Sequence, residues 1–110
     1  MGLVAVTRFD VALVRLDPTQ GSEIRKTRPC VVISPDEMNG ALRTAIVAPM
    51  TTQGHDYPWR VRVSFGDIEG RIALDQVRTI DQERIVRREG RLDAGTAQRV
   101  LDTLVEMFAP

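Results

Sequence analysis

The sequence is poor in the residues that most often carry chemistry. Its 110 positions hold one cysteine, one histidine and, among fifteen basic residues, one lysine. A lone Cys30 makes no internal disulfide and lacks the partners for a cysteine-rich metal site. A lone His55 excludes an acid–base pair of histidines within one chain. No apolar run approaches the roughly 20 residues that span a bilayer. The apolar opening, Met1 to Val6, is interrupted by Arg8 and Asp10 too soon for a signal peptide. A soluble, cytoplasmic protein is expected. Fifteen acidic residues balance the fifteen basic ones, so no global basic footprint suits nonspecific binding to duplex DNA. There is no Gly-rich phosphate cradle, nucleophile elbow or metal-ligand spacing, and neither metal nor cofactor is expected.

What is present is arginine: Lys26 is the only basic residue of the fifteen that is not one. The planar guanidinium fork suits bidentate phosphate recognition, although a GC-rich genome produces the same bias. At this length a single domain over residues 1–110 is expected. Residues 9–16 read as a strand, and Asp17-Pro18-Thr19-Gln20-Gly21-Ser22 opens a polar loop running to Arg28. Cys30-Val31-Val32-Ile33 has the look of a buried central strand, stopped by Ser34-Pro35-Asp36, with a turn at Asn39-Gly40. Further strands are expected at 43–48, 60–63, 72–74 and 77–80, with Ile85-Val86 continuing the sheet. Ala97, Val100, Leu101, Leu104, Val105 and Phe108 share one helical face, with Asp93 as N-cap. The pattern predicts a mainly β protein with a C-terminal helix packed on a small, partly open barrel.

Three segments can carry chemistry. The loop 17–29 brings Arg25, Lys26 and Arg28 together beside Glu23, a guanidinium for a phosphate and a carboxylate for a hydroxyl. An ordinary solvated loop accounts for the same residues, except that Arg28 abuts the buried run after Pro29. Thr51 and Thr52, ahead of Gln53, end a strand with two hydroxyls that bind either phosphate oxygens or the local backbone. Tyr57 and Trp59 bracket Pro58 and serve equally as a base-stacking pair or as core anchors. Arg84, Arg87, Arg88 and Arg91 cluster ahead of the helix with Glu83 and Glu89 beside them, as on a mixed solvated face or, as the second reading, a track for an RNA backbone.

Taken in order, Val14-Arg15-Leu16-Asp17-Pro18-Thr19-Gln20-Gly21-Ser22-Glu23 and Arg28-Pro29-Cys30-Val31-Val32-Ile33-Ser34-Pro35 resemble the opening of the MazF/PemK (Kid) family of toxin endoribonucleases. Val47-Ala48-Pro49-Met50-Thr51-Thr52-Gln53 with Tyr57-Pro58, and Ala73-Leu74-Asp75-Gln76-Val77-Arg78-Thr79-Ile80-Asp81, resemble its second and third blocks. The resemblance implies an SH3-like barrel of the CcdB/MazF/Kid type and a homodimer. It also implies metal-independent, sequence-specific cleavage of single-stranded RNA, and neutralisation by a cognate antitoxin with a disordered tail.

Carried over position by position, Arg28 matches the family's catalytic arginine, Thr51 its catalytic threonine, and Glu23 a loop glutamate tied to activity in some members. Arg25 and Lys26 of the charged loop, with Thr52, Gln53, Asp75, Gln76 and Arg78 of these blocks, are the expected RNA-binding residues. Asp75 matches an aspartate proposed as a base in Kid-like members, but the arginine expected two residues earlier is Ala73 here. That departure favours chemistry centred on Arg28 and Thr51. The rival on the same fold is a non-catalytic, gyrase-binding toxin of the CcdB type. Those proteins share a Trp-Gly-Ile end, whereas this sequence finishes Glu106-Met107-Phe108-Ala109-Pro110.

Overall fold

The computed structural model describes residues 5–110; Met1 to Val4 of the apolar opening lie outside them. In chain order the elements are β1 (Asp10–Arg15), β2 (Thr27–Val32), α1 (Asp36–Ala41), β3 (Thr44–Thr51), β4 (Arg60–Phe65) and β5 (Ile68–Ala73). Then follow a short 3-10 turn (Leu74–Gln76), β6 (Arg78–Asp81), a second such turn (Gln82–Arg84), β7 (Ile85–Arg91) and α2 (Ala94–Phe108). The expected mainly β architecture with a terminal helix is what forms.

All strand pairs are antiparallel, in the order β4-β5-β3-β2-β1-β7, with β6 also on β3. Eight residues of β3 organise this sheet. One of its edges holds β2, from Val32↔Val47 to Cys30↔Pro49. The opposite edge holds β6 from Thr44 to Val47, and β5 at Met50 and Thr51. Between those two pairings the partner chain lifts into the turn Leu74–Gln76, and Pro49 of β3 sits opposite the gap. A proline lacks the N–H that a continuous ladder requires there.

Side chains of the central strands alternate between two apolar clusters. Val11, Val31, Ala48 and Met50 join Val61, Val63, Ile72 and Leu74 beneath Ala97 and Val100 of α2. Ala12, Val14, Cys30, Val32, Ala45 and Val47 face the other way, with Leu16 and Ile80. Burial on both faces is why Cys30–Ile33 and the 43–48 stretch read as apolar runs instead of alternating ones. The sheet curls until its ends meet: a Cβ built on Gly90 of β7 would lie 2.9 Å from Cζ of Phe65, the last residue of β4. The result is a half-barrel.

Several local expectations shift. Arg28 is not in the loop but on β2, opposite Val14 of β1. Asp36 to Ala41, read as a strand stop and a turn, is a short helix whose Asn39 is buried. There Asn39 Nδ2 donates to the Ser34 carbonyl at 2.9 Å, and Ser34 Oγ accepts from Ile46 N at 2.9 Å. Leu74 belongs to a 3-10 turn and not a strand. β7 runs on to Arg91 as a charged edge strand with two register shifts against β1, devices that discourage edge-to-edge pairing. Its arginines are tied down: Arg91 pairs with buried Asp10 at 3.1 Å and Arg88 with the same carboxylate at 3.5 Å. Asp93 caps α2 as expected, accepting from Thr96 N at 3.0 Å. Only part of the expected helical face reaches the core, because Val105 and Phe108 turn to solvent.

Two tests follow from this packing. A Cβ on Gly70 of β5 would stand 2.6 Å from the Thr51 carbonyl oxygen, a backbone atom that cannot swing aside. Gly70→Ala is expected to cost about 1–3 kcal/mol by forcing β5 off β3. Gly40→Ala, with open space around its Cβ, is expected to be neutral or to stabilise by up to about 1 kcal/mol. Urea midpoints distinguish the two. The Cys30 thiol is pushed from 9.0 up to about 12 by burial, which outweighs the opposing charges of Arg78 and Arg28. Above pH 9 the unfolded chain releases this proton while the folded chain keeps it, so stability falls as pH rises from 9 toward 12. Cys30→Ala is expected to flatten that limb of the pH–stability curve, and the native thiol to resist iodoacetamide until urea unfolds the chain.

Candidate functional site

The loop between β1 and β2 is closed by its own backbone. Leu16 N donates to the Lys26 carbonyl at 2.9 Å, and Glu23 N to the Gln20 carbonyl at 3.1 Å. The Glu23 carboxylate accepts from Gln20 N at 2.6 Å through Oε1. Lys26 sits at φ 73°, a left-handed conformation costing a non-glycine residue about 1–2 kcal/mol. The bend it makes turns the chain into β2 two residues before Arg28. The Arg28 Nε donates to the Arg25 carbonyl at 2.9 Å, which holds the guanidinium at the loop's base.

Across from this loop stands the turn Leu74–Gln76. Gln76 clamps the two together: its Oε1 accepts from Ile24 N at 3.1 Å and its Nε2 donates to the Ser22 carbonyl at 3.4 Å. The groove between them has a volume of about 350 Å³ and is lined by Ser22, Glu23, Ile24, Pro49, Asp75, Gln76, Val77 and Arg78. Arg78 donates to the Leu16 carbonyl at 3.2 Å. Four expected site residues, Glu23, Asp75, Gln76 and Arg78, therefore share one groove.

Arg28 and Thr51 come from neighbouring strands. The β2–β3 pairing runs from Val32↔Val47 to Cys30↔Pro49 and ends there, two residues short of Arg28 on one strand and of Thr51 on the other. Thr51 is 7% exposed. Its Oγ1 accepts from Gln53 N at 3.1 Å and donates to the Gln53 carbonyl at 3.3 Å. That is the backbone-bonding use of a strand-end hydroxyl, and it fixes the oxygen's direction. Arg25 and Lys26 are exposed on the loop, and Thr52 and Gln53 are exposed beyond β3. Thr52 faces a second depression of about 490 Å³ that also holds Arg62, Arg71 and Arg99, not the Glu23 groove.

Asp75 is not a lone carboxylate. Both its oxygens accept from one guanidinium, Arg60 Nε at 3.0 Å and Nη2 at 2.9 Å. These bonds raise Arg60 above its ordinary value, so its charge is fixed. Arg60 is the cross-strand partner of Ala73, the position where an arginine was expected and is missing. The guanidinium thus arrives from β4 and not from β5. Spacing along the chain gives no sign of this, because the two positions meet only through the β4–β5 register. Asp56 was also passed over: it accepts from Arg71 at 2.6 Å and Arg62 at 2.7 Å, which hold its carboxyl below the usual range. Among the described residues no three His, Cys, Asp or Glu side chains stand together as a metal-ligand set, and no helix is long and apolar enough to cross a membrane.

Known proteins agree with this architecture. The profile for PemK-like, MazF-like toxins of type II toxin–antitoxin systems matches residues 7–108. Endoribonuclease toxin MazF of Escherichia coli (strain K12) is 39% identical over 71 residues, a stretch covering 64% of each chain. The match thus spans a little under two thirds of that relative's length. Endoribonuclease EndoA of Bacillus subtilis (strain 168) is 35% identical over 105 residues, covering 90% of each. The crystal structure of MazF from Deinococcus radiodurans superposes with a TM-score of 0.84 at 22% identity, over 94% of this chain and 96% of that one. A mycobacterial endoribonuclease in complex with its cognate antitoxin gives 0.81 at 18% identity, over 96% and 98%. At such identities the two structures speak for the fold. The sequence matches fall on the PemK/MazF side of the resemblance, and the gyrase-binding alternative is not favoured. This chain belongs to the PemK-like, MazF-like toxins of type II toxin–antitoxin systems.

Proposed function

We propose that this chain, as one toxin domain, is a cytoplasmic, sequence-specific endoribonuclease that cuts single-stranded RNA without a metal and is neutralised by a cognate antitoxin. What supports the reading is the grouping of Glu23, Asp75, Gln76 and Arg78 on one groove in a member of this toxin family, with Arg28 and Thr51 on the adjoining strands β2 and β3. The ribose 2′-hydroxyl attacks its own phosphate, the P–O5′ bond breaks, and the departing 5′-oxygen takes a proton from water. Arg28 neutralises charge building on the phosphoryl oxygens, the largest single contribution such a site makes. Thr51 hydrogen-bonds the phosphate and keeps the attack in line. Glu23 is the candidate to take the 2′-hydroxyl proton: its Oε1 is engaged by Gln20 N, and among the described residues its Oε2 has no hydrogen bond.

Arg25, Lys26 and Arg78 bind the RNA backbone, and Thr52, Gln53 and Gln76 meet base edges. Asp75, with both oxygens on Arg60, accepts from a base instead of moving a proton. Such readout of unpaired bases suits a chain of zero net charge. The antitoxin's disordered, acidic and apolar tail covers the Arg28 loop and folds on binding.

The products are expected to carry a 2′,3′-cyclic phosphate and a free 5′-hydroxyl, with activity unchanged in EDTA. Deoxyribose 5′ of the cut is expected to stop cleavage and leave binding intact. Arg28→Ala is expected to lose about 2–4 kcal/mol of transition-state stabilisation, read as kcat/KM on a labelled oligonucleotide. His55→Ala is expected to lose far less. Cleavage of the deoxy-substituted RNA overturns the mechanism.

A two-fold homodimer belongs to the same proposal. Val105 and Phe108 are 71% and 75% exposed on the outer face of α2, and a second copy offers each the same stripe to cover. Light scattering at micromolar concentration is expected to give twice the chain mass, and Phe108→Asp to shift it toward the monomer.

A further inference from the structure

The segment between β3 and β4 holds a group that the mechanism leaves unused. Tyr57 and Trp59 stack with centroids 5.0 Å apart and planes 7° from parallel. The Arg60 guanidinium lies over the Tyr57 ring at 5.4 Å from its centroid, and His55 meets that ring edge-on at 6.0 Å. The stack is anchored to the turn that borders the groove. Arg60 holds Asp75 by two bonds and is only 13% exposed, and Leu74 N donates to the Trp59 carbonyl at 3.3 Å.

Despite this rigidity the rings are not core residues, for Tyr57 is 39% and Trp59 38% exposed. Among the described residues no other ring or guanidinium stacks on Trp59, and over a third of the residue is in solvent. The surrounding charge favours a polyanion. Arg60 and Asp75 balance, while Arg62, Arg71 and Arg99 in the adjoining depression are met by Asp56 and Glu69 and leave one positive charge over.

We propose that the solvent-exposed part of the Trp59 indole is a stacking subsite for one unpaired nucleobase of the RNA, with Tyr57 and Arg60 as positioning residues that hold the indole in place. The proposal rests on the reading of the chain as a single-strand endoribonuclease and adds where a base flanking the cut is held. A flat ring on an immobilised indole loses little entropy on docking, and a purine covers more of the indole than a pyrimidine. The subsite therefore tolerates any base and prefers purines. An apolar peptide segment gains nothing from the parallel geometry or from the excess positive charge.

Trp59 is the only tryptophan in the sequence, so its fluorescence reports on this subsite. The probe is a short single-stranded RNA spanning a cut mapped in cells expressing the chain, with deoxyribose at the cut to prevent turnover. Its binding is expected to quench Trp59, and an abasic nucleotide at one flanking position to abolish the quench. Trp59→Ala is expected to weaken binding of that probe by about 5- to 100-fold, leaving kcat on the cleavable RNA within about threefold. Trp59→Phe is expected to recover most of the affinity, which a merely structural role for the indole does not explain. If wild-type protein cuts and binds the RNA with no quench, or Trp59→Ala binds it equally well, the subsite is refuted and the nuclease reading stands. Tyr57→Leu provides a check against misfolding: folded by circular dichroism, it is expected to lose affinity in part. If wild-type protein neither binds nor cuts RNA, both readings fall.

Discussion

Strand β3 is where the structure is decided, because both of its faces are buried and both of its edges are paired. Val47 illustrates the constraint: it sits opposite Val32 on one side and Arg78 on the other, with its side chain in the second core cluster. A strand held in this way has no freedom of register, since a slip of one residue would exchange the two clusters. That rigidity reaches its end at Thr51, which is still bonded to Arg71 of β5. A hydroxyl at the limit of such a strand has a fixed address. Arg28 is located by its pairing with Val14 of β1 and by the bond from its Nε to the Arg25 carbonyl.

The loops, by contrast, are held by side chains spent on backbone. Gln76 ties the Glu23 loop to the turn before β6. Gln82 does the like at the opposite end, donating from one amide nitrogen to the carbonyls of Asn39, Leu42 and Thr44 at 2.9, 3.1 and 3.2 Å. Arg84 reaches the carbonyls of Arg15 and Asp17. Much of the arginine excess is therefore structural. A guanidinium carries five donors in a fixed fork, well suited to collecting carbonyls that a strongly curled sheet leaves without ladder partners. The composition fitted phosphate handling or a GC-rich genome alike; in the fold, many of these arginines serve as scaffold.

How much of this was legible follows from which forces write themselves into sequence. Cys30–Ile33, Ala45–Val47 and the inner face of α2 were readable because burial imposes apolar patterns. The helix Asp36–Ala41 was not, for at six residues it shows no periodicity and Pro35 offers no side-chain cap. The extension of β7 through Arg87, Arg88 and Glu89 was hidden because a charged edge strand looks like a solvated face. Val105 and Phe108 fit the helical period yet point outward; period alone does not say what covers a stripe. In the site, Glu23, Asp75, Gln76 and Arg78 come from separate motifs, and nothing in their spacing shows that they share one groove or that Gln76 clamps it.

The Asp75 environment shows why residue-by-residue comparison stops short. Ala73 looks like the loss of a guanidinium, and taken alone it argues that Asp75 has lost its partner. The β4–β5 pairing sets Arg60 beside Ala73, and from that strand it reaches both Asp75 oxygens. An alanine at 73 is what makes room, since Ala73 is fully buried and a long charged side chain there would need its own exit to water. A carboxylate can draw its guanidinium from a neighbouring strand as well as from its own, and here β4 supplies it. The exchange has a further effect. Brought in from β4, the guanidinium passes over Tyr57 and couples the groove's carboxylate to an aromatic stack that an arginine on β5 would have no reason to touch.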